Sequence, residues 1–275
     1  MTTNTIAFIG GGNMASSIIG GLRASGWSAN HIRVSDPSSN QRQKLKSDFQ
    51  VQCFESNTDC IRDAEIIVLA TKPQMLKEAL KPISEPLSLT KPLVTSIVAG
   101  ITGTDILKWI GSPLPLIRVM PNTPALVNRG VSAMFANQLC SDEHKKAADQ
   151  IMGAVGKTVW VSSESDIDTV TGISGSGPAY FFKLMEIMIE NAVRNGLTEE
   201  DAKILVIETA AGAAKLAGNS EQTPAILRKQ VTSPAGTTEA ALISMESSGI
   251  DQVVSSGIDA AIERSRELAI MLGEH

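Results

Sequence analysis

The chain is poor in the residues that build disulfide frameworks and metal sites. It has three cysteines and three histidines among 275 residues. Cys53, Cys60 and Cys140 form no CxxC pair, and their odd number indicates reduced thiols rather than disulfides or zinc ligands. The histidines also lack the spacing of metal ligands. We therefore expect a cytoplasmic protein with no metal site.

Positive charge is also scarce. Lys and Arg number 24 against 29 Asp and Glu, which gives a net charge of −5 without a basic run. Nucleic acids and anionic membranes are therefore not expected as partners. The N-terminal stretch lacks the basic and long apolar regions of a signal peptide, and the longest apolar segments carry Glu or Lys. The sequence thus predicts no transmembrane helix.

What the sequence does contain begins with a glycine-rich turn. Four apolar residues, Ile6–Ile9, lead into Gly10-Gly11-Gly12, and a helical pattern follows. The spacing Gly10-x-Gly12-x-x-Ala15 is the alanine-ended form of the dinucleotide fingerprint. Gly10 permits the sharp turn, Gly12 lets the backbone approach a pyrophosphate, and Ala15 lets the helix lie close on the strand. The helix N-terminus offers N–H groups to the phosphates, and the alternative interpretation is an ordinary strand–helix turn.

Short apolar segments of strand length alternate with helical segments up to residue 164. The predicted strands after the first are Ile32–Ser35, Val51–Cys53, Glu65–Ala70, Leu93–Val98, Leu116–Met120, Val131–Phe135 and Thr158–Val161. The alternation predicts an α/β protein with a parallel, doubly wound sheet of the Rossmann type over residues 1–164. Such sheets bind ligands beyond the carboxyl ends of their strands. One crevice is therefore expected to be lined by the turns Gly10–Met14, Ser35–Ser39, Ala70–Pro73, Ala99–Gly100 and Met120–Pro124.

Strand signals vanish from residue 165 onward, so residues 165–275 are predicted as an all-helical second domain. The glycine-rich segment 172–178 interrupts the chain near its start. The helix predicted over residues 178–195 has a narrow polar stripe, and the next, over 200–217, is apolar almost all round. A helix that is apolar on every side is expected to be buried. We therefore predict an oligomer, a dimer or larger, with this domain as its interface. The alternative is that these helices pack only against the first domain.

The stretch Val231–Thr238 lies between two predicted helices, one near Leu227 and one beginning at Glu239. It supplies several hydroxyl groups, a glycine and a row of backbone N–H groups that lead into a helix N-terminus. N–H donors, the helix dipole and hydroxyl donors together suit a carboxylate. The alternative is a loop that only caps the helix.

Several segments of the chain resemble the pyrroline-5-carboxylate reductase family, which catalyses the last step of proline biosynthesis. The resemblance extends over the whole chain in the right order, through Phe8–Met14, Lys72-Pro73, Ala99-Gly100-Ile101, Met120–Pro124, Val170–Tyr180, Ser220-Glu221-Gln222 and Val231–Thr238. It implies hydride transfer from a reduced nicotinamide to the C=N carbon of Δ1-pyrroline-5-carboxylate, which gives L-proline.

The resemblance also implies a substrate site. Ser233 and the backbone of Gly236, Thr237 and Thr238 would bind the substrate carboxylate. Thr238 matches the hydroxyl that hydrogen-bonds the ring nitrogen and is predicted as the principal catalytic group. A threonine hydroxyl is too weakly acidic to act alone, so solvent or an already protonated imine is expected to supply the proton. Glu221 resembles an acidic residue near that nitrogen that would favour the iminium, and its alternative is a solvated residue at a helix start.

The predicted coenzyme contacts form a longer set. Asn122 and Thr123 resemble residues near the nicotinamide, and Asn57 resembles one near the adenosine. Lys72 and Pro73 resemble further contacts, although Lys72 is alternatively a surface lysine at a helix start. The full prediction is Ile9, Gly10, Gly11, Gly12, Asn13, Met14, Asp36, Ser38, Asn57, Ala70, Thr71, Lys72, Pro73, Ala99, Gly100, Asn122 and Thr123.

Asp36 is a departure from the family pattern. It ends the second predicted strand, where an acid binds the ribose 2′-hydroxyl and repels a 2′-phosphate, which favours NADH. The family often has a small hydroxyl residue there and often prefers NADPH. Ser35, Ser38, Ser39 and Arg42 are close enough in sequence to hold a phosphate. We therefore predict NADPH, with NADH as the alternative.

Two other functions fit parts of the sequence. A β-hydroxyacid or related imine oxidoreductase would share the two-domain plan. Its expected catalytic lysine has no counterpart after Ser174–Pro178, since Lys183 lies on the polar stripe. A non-catalytic nucleotide-binding sensor would be favoured by the loss of Thr238 or Ser233, and both are present. The predicted function is therefore an NAD(P)H-dependent reductase of pyrroline-5-carboxylate.

Overall fold

The computed structural model describes residues 4–273, and the outer ends of the two predicted domains, residues 1–3 and 274–275, lie outside this range. In the described residues the strands form one sheet with the order β3-β2-β1-β4-β5-β6-β7-β8. These strands are β1 Ile6–Ile9, β2 Ile32–Ser35, β3 Gln52–Phe54, β4 Ile66–Leu69, β5 Leu93–Ser96, β6 Leu116–Met120, β7 Gly130–Ala136 and β8 Gly156–Trp160.

The central strands are parallel and buried on both faces. β1 and β4 consist of apolar residues, and every residue of both strands is buried. Ile6 of β1 pairs with Ile32 of β2 on one side and with Ile66 of β4 on the other. The strand order reverses between β1 and β4, so their carboxyl ends flank the switch point at which such sheets bind ligands. The prediction of a Rossmann-type α/β fold is confirmed.

The far edge of the sheet departs from the predicted parallel pattern. β7 runs antiparallel to β6, with Val119 opposite Met134, and β8 is parallel to β7. The connection from β6 to β7 spans only residues 121–129 and contains a short 3₁₀ helix, Thr123–Val127. A parallel crossover needs about a dozen residues or more, so a connection this short returns the chain in the opposite direction.

Helices cover both faces of the sheet and divide its core in two. The helices of this part are α1 Asn13–Ala24, α2 Ser39–Phe49, α3 Asn57–Ile61, α4 Pro73–Leu80, α5 Ser84–Thr90, α6 Gly103–Ile110 and α7 Asp142–Gly153. On one face Phe8 packs with Ile18 and Ile19 of α1. On the other face Ile9 packs with Leu76 of α4. Because side chains alternate along a strand, β1 anchors helices on both faces just below the glycine-rich turn.

In the described part of the chain after β8, the regular elements are all helices. They are α8 Asp166–Val170, α9 Gly177–Arg194, α10 Glu199–Gly218, α11 Pro224–Gln230, α12 Thr237–Ser247 and α13 Ile250–Gly273. Between α8 and α9, Thr171–Gly175 form a π-helical turn in which the N–H of Ser176 donates to the carbonyl of Thr171 at 2.8 Å. The glycine-rich segment that the sequence indicates as an interruption is therefore a widened helical turn.

The compact units of the chain divide at a different point from the predicted domains. One unit comprises the chain up to Ser176 together with the end of α13 from Ala261 onward. The other unit is Gly177–Ala260. Within the first unit, the hydroxyl of Ser265 in α13 donates to a carboxylate oxygen of Asp168 in α8 at 2.7 Å. The division into residues 1–164 and 165–275 stays a prediction.

The helical unit, taken by itself, exposes much of its apolar surface. Ile204 and Leu205 of α10 are each 55% exposed and Leu216 is 69% exposed, whereas Ala202 and Val206 are buried. The expected burial of α10 therefore stays a prediction for the oligomer, because the single chain leaves most of this helix exposed. An apolar pattern on all sides does not say what covers a helix, and within the described residues most of α10 is uncovered.

Candidate active site

A cleft of about 640 Å³ lies at the carboxyl ends of β1 to β4. Eight of the predicted coenzyme contacts line it, namely Ile9, Gly10, Gly12, Asp36, Asn57, Ala70, Thr71 and Lys72. These residues come from the turns after β1, β2 and β4 and from the start of α3. The structure therefore brings together three of the five turns that were expected to share one crevice.

The glycine-rich turn has two glycines with different tasks. Gly10 has φ +99°, and a Cβ placed there would lie 2.7 Å from the carbonyl oxygen of Ala70. Gly10 is therefore needed where the end of β1 passes the end of β4. Gly12 has φ −63° and ψ −174°, and a Cβ there would meet no atom within 4 Å. The space above Gly12 is thus open on the cleft side, as a close approach by a phosphate requires.

Among residues 4–273, the N-terminus of α1 offers unused donors beside Gly12. Gly12 is the N-cap residue and has no side chain to cap the helix. The first backbone hydrogen bond of the helix runs from Ser16 to the carbonyl of Gly12 at 2.8 Å. The N–H groups of Asn13 and Met14 therefore precede the first bonded turn and suit a diphosphate, together with the helix dipole.

Asp36 is held by backbone N–H groups at the rim of the cleft. One carboxylate oxygen accepts from the N–H of Gly11 and the other from the N–H of Ser38, both at 2.9 Å. Ser38 is the N-cap of α2, and its hydroxyl accepts from the N–H of Gln41 at 3.3 Å. A Cβ on Gly11 would lie 2.6 Å from Leu45, so Gly11 is needed for packing as well.

Further polar atoms suit a ligand on the opposite wall. Lys72 is the exposed N-cap of α4, and Pro73 occupies the first turn of that helix. The hydroxyl oxygen of Thr71 is buried and has no hydrogen-bond partner within the described residues. The amide nitrogen of Asn57 donates to the carbonyl of Ala79 at 3.0 Å, which fixes its side chain at the cleft wall. An unpartnered buried hydroxyl in the lining fits a cleft that holds a polar ligand.

Sequence reasoning missed several residues of the cleft. They are Glu55, Ser56, Thr58, Met75, Glu78, Ala79 and Pro82. The first three follow β3, which pairs in parallel with β2, so the turn after β3 ends at the same edge as the others. The rule that ligands bind at the carboxyl ends of parallel strands also covers the turn after β3.

The remaining predicted contacts lie outside the cleft lining. Ala99 is exposed, and a Cβ on Gly100 (φ +71°) would lie 3.1 Å from Leu272 of α13. Thr123 is exposed at the start of the 3₁₀ helix after β6. Thr123 and Asn122 stay predictions for the nicotinamide end of a coenzyme, and Ala99 and Gly100 stay predicted coenzyme contacts.

Asn122 uses its side-chain amide within the protein. The amide nitrogen donates to the carbonyl of Ser174 at 3.1 Å, and the amide oxygen accepts from the N–H of Val131 at 2.9 Å. The residue is 9% exposed. Asn122 therefore ties the end of β6 to β7 and to the π-helical turn, whatever contact it makes with a ligand.

In the helical unit, the segment Ser233–Thr238 forms a turn that leads into α12. The N–H of Gly236 donates to the carbonyl of Ser233 at 3.0 Å, and Ala235 adopts φ +55°. The N–H of Ala235 donates to the carboxylate of Glu239 at 2.7 Å. Within the described residues, the hydroxyls of Ser233 and Thr238 and the N–H groups of Thr237 and Thr238 have no hydrogen-bond partner. These donors meet at a helix N-terminus and suit an anion.

Glu221 lies in the same unit, between α10 and α11. It is exposed and lines a cavity of about 990 Å³ together with Ser220 and Val231. The segment from Ser233 to Thr238 is not part of that lining. Glu221 and Thr238 therefore do not line this cavity together, and their shared role stays a prediction.

The other chemistry of the described residues is limited. No three His, Cys, Asp or Glu side chains between residues 4 and 273 are grouped so that they could hold a metal ion. All three cysteines are free, and burial raises the pKa of Cys60 to about 12, which keeps that thiol protonated near neutral pH. In the same range of residues, no helix combines the length and apolar character needed to cross a membrane.

Comparison with known proteins identifies the family. A family model described as pyrroline-5-carboxylate reductase dimerisation matches residues 164–268, and one described as NADP oxidoreductase, coenzyme F420-dependent, matches residues 5–100. A pyrroline-5-carboxylate reductase of Pseudomonas aeruginosa is 47% identical over 100% of both chains. The chain belongs to the pyrroline-5-carboxylate reductase family. A second member, from Pasteurella multocida, is 40% identical over 98% of both chains.

Solved structures agree with this pyrroline-5-carboxylate reductase assignment. The Coxiella burnetii pyrroline-5-carboxylate reductase superposes with a TM-score of 0.94 at 41% identity, covering 98% of this chain and 99% of its own. The Plasmodium falciparum pyrroline carboxylate reductase, described with NADP bound, gives 0.86 at 30% identity over 98% and 99%. The prediction of an NAD(P)H-dependent enzyme that reduces pyrroline-5-carboxylate to proline is confirmed. The reductase carries a self-association domain of its family.

Proposed function

We propose that this enzyme reduces Δ1-pyrroline-5-carboxylate with NADPH, holding the coenzyme in the cleft beside Gly12 and the substrate carboxylate on Ser233–Thr238. The observation that carries the proposal is the pair of donor-rich helix N-termini, one at α1 and one at α12. When bound, the reduced nicotinamide supplies the hydride. The protein must hold the two reactants in the orientation that hydride transfer requires.

Different residues of the helical unit are proposed to bind different parts of the substrate. Ser233 and the backbone of Gly236, Thr237 and Thr238 are proposed to bind the carboxylate, because the helix dipole and the free N–H groups of Thr237 and Thr238 favour an anion. The hydroxyl of Thr238 is proposed to hydrogen-bond the ring nitrogen. Glu221 is proposed to favour the iminium form of the substrate, which accepts hydride more readily than the neutral imine.

Different residues are proposed to bind different parts of the coenzyme. The turn Ile9–Met14 is proposed to hold the diphosphate, since Gly12 leaves the space above it open and the first N–H groups of α1 are unused. Lys72 and Pro73 are proposed to contact the coenzyme from the start of α4. Asn57 is proposed to lie near the adenosine, Asn122 and Thr123 are proposed to lie near the nicotinamide, and Ala99 and Gly100 are proposed as further coenzyme contacts.

NADPH is proposed over NADH on three grounds. Both carboxylate oxygens of Asp36 accept backbone N–H groups, which offsets part of its negative charge. Ser38 and Ser39 are exposed beside it, and Arg42 lies against the backbone of Asp36. The Plasmodium falciparum relative is described with NADP bound, which supports the same choice. Asp36 itself opposes it by charge.

Replacing Asp36 by serine should therefore raise kcat/KM for NADPH by about 10-fold and lower that for NADH, because a carboxylate close to a phosphate repels it. Steady-state kinetics with both coenzymes checks this. Asp36→Asn is the control, since it removes the charge and keeps an acceptor for one N–H. A strong NADH preference in the unmodified enzyme that weakens in Asp36→Ser would overturn the choice of NADPH.

The helical residues 165–275 are proposed to form a dimer or a larger oligomer. The apolar side chains exposed on α9, α10, α12 and α13 support an interface. Among them are Phe181 and Phe182 of α9, each 64% exposed. The description of the matching family model supports the same conclusion. A mass measurement at several concentrations should give at least twice the chain mass of 29.1 kDa. A monomer at micromolar concentration would contradict the proposed interface.

A further inference from the structure

An ion pair stands at the adenosine end of the cleft, between the first turn of α2 and the segment after β3. The guanidinium of Arg42 lies 2.9 Å from a carboxylate oxygen of Glu55. The same guanidinium donates to the carbonyl oxygens of Asp36 at 2.7 Å and Pro37 at 3.0 Å. Its side chain is 19% exposed, whereas that of Glu55 is 80% exposed. Arg42 is therefore held firmly against the loop, and Glu55 covers its outward side.

The position of this pair matters because the loop it holds lines the cleft. Asp36, Pro37 and Glu55 are all part of the lining. β2 and β3 are neighbours, with Ser35 opposite Phe54, so Asp36 and Glu55 follow directly on adjacent strands. Arg42 is thus the cation next to the strand end at which such sheets bind the adenosine ribose, and a carboxylate already occupies it.

We propose that Glu55 is a specificity-determining residue that competes with the 2′-phosphate of NADPH for Arg42. A guanidinium pairs with carboxylates and phosphates through the same planar set of donors. Exposed ion pairs are weak, so Glu55 can be displaced by a phosphate but lowers the gain from binding it. This inference rests on the proposed coenzyme site and not on which coenzyme the enzyme prefers.

Glu78 provides a matched control in the same cleft. It also lines the cleft and is also exposed, but its carboxylate pairs with Lys81 at 2.6 Å. Glu55→Gln and Glu78→Gln remove the same charge from the same cleft. Only the first of them releases Arg42. A difference between the two variants therefore separates the pairing of Arg42 from the general charge of the cleft.

The test is binding of adenosine 2′,5′-bisphosphate and of 5′-AMP to the full-length enzyme by calorimetry. Glu55→Gln should tighten binding of the bisphosphate by about 3- to 10-fold and leave 5′-AMP unchanged, whereas Glu78→Gln should change neither by more than about 2-fold. The double variant Arg42→Gln/Glu55→Gln should bind the bisphosphate no better than Arg42→Gln. In turnover, the ratio of kcat/KM for NADPH over NADH should rise in Glu55→Gln alone.

Two outcomes would overturn the role of Glu55. One is equal tightening of the bisphosphate in Glu55→Gln and Glu78→Gln, which would indicate general repulsion. The other is a gain in Glu55→Gln that survives the loss of Arg42. Because calorimetry needs no turnover, a failure of the proposed reaction or a preference for NADH would be recognised separately.

Discussion

Replacing Gly12 by valine is expected to weaken NADPH binding on the order of 100-fold or more and to leave the fold intact. Gly12 has extended backbone angles that any residue adopts, and a Cβ there would meet no protein atom within 4 Å. The valine side chain would instead fill the space in which a phosphate approaches the N–H groups of α1, so several charge-assisted hydrogen bonds would be lost. A fluorescence titration with NADPH measures the loss.

Stability distinguishes this effect from unfolding. The free energy of unfolding of Gly12→Val should change by less than about 1 kcal/mol, since only a weak helix cap is altered. Gly10→Val is the contrasting variant. It would place a Cβ 2.7 Å from the carbonyl of Ala70 at φ +99°, so it should destabilise the protein by about 3 kcal/mol or more. NADPH affinity retained in Gly12→Val would refute the close approach of a phosphate to this glycine.

Replacing Thr238 by alanine is expected to lower kcat by about one to three orders of magnitude. The lost interaction is a hydrogen bond to the reacting ring nitrogen, worth about 1.5–4 kcal/mol. The Thr238 hydroxyl has no partner within the described residues, so its removal breaks no contact that holds the chain together. Steady-state kinetics and thermal unfolding together should therefore show a loss of rate without a loss of stability.

Two neighbouring substitutions serve as controls for Thr238. Thr237→Ala removes a hydroxyl from the same helical turn but keeps the backbone N–H that is proposed to bind the carboxylate, so kcat should change little. Thr238→Ser keeps the hydroxyl and should recover most of the rate. A fully active Thr238→Ala enzyme, or a Thr237→Ala enzyme impaired to the same degree, would disprove the assigned role.

The strand–turn–helix unit at the start of the chain could be predicted because its signals are local. Apolar Ile6–Ile9, the glycines and the amphipathic helix lie within one short stretch, and the structure has β1 and α1 there. The open space beside Gly12 also agrees with the role that the fingerprint predicts for this glycine. Local patterns suffice here since each residue acts on its immediate neighbours in the chain.

Features that depend on distant residues were predicted less well. The direction of β7 follows from the length of its connection to β6, which hydrophobic periodicity does not report. β3 is only three residues long, and the cleft residue Glu55 follows it without any motif of its own. Leu216 is exposed on a helix that is apolar almost all round. Composition therefore predicts that such a helix is buried but does not show what covers it.

Asn122 illustrates how a motif can serve the fold and a site together. Its position after β6 resembles a coenzyme contact of the family. Its amide nitrogen nevertheless donates to the carbonyl of Ser174, and its amide oxygen accepts from the N–H of Val131. A motif alone does not separate these roles, because both constrain the same side chain. The hydrogen-bond partners become visible only in three dimensions.

The activity of this enzyme is hydride transfer from a reduced nicotinamide to Δ1-pyrroline-5-carboxylate. The most direct test follows NADPH and NADH oxidation by the purified protein in the presence of this substrate and measures L-proline in the same sample. One proline should form for each coenzyme oxidised, and kcat/KM should be higher with NADPH. Absence of proline with both coenzymes, from a folded protein that binds them, would contradict this activity.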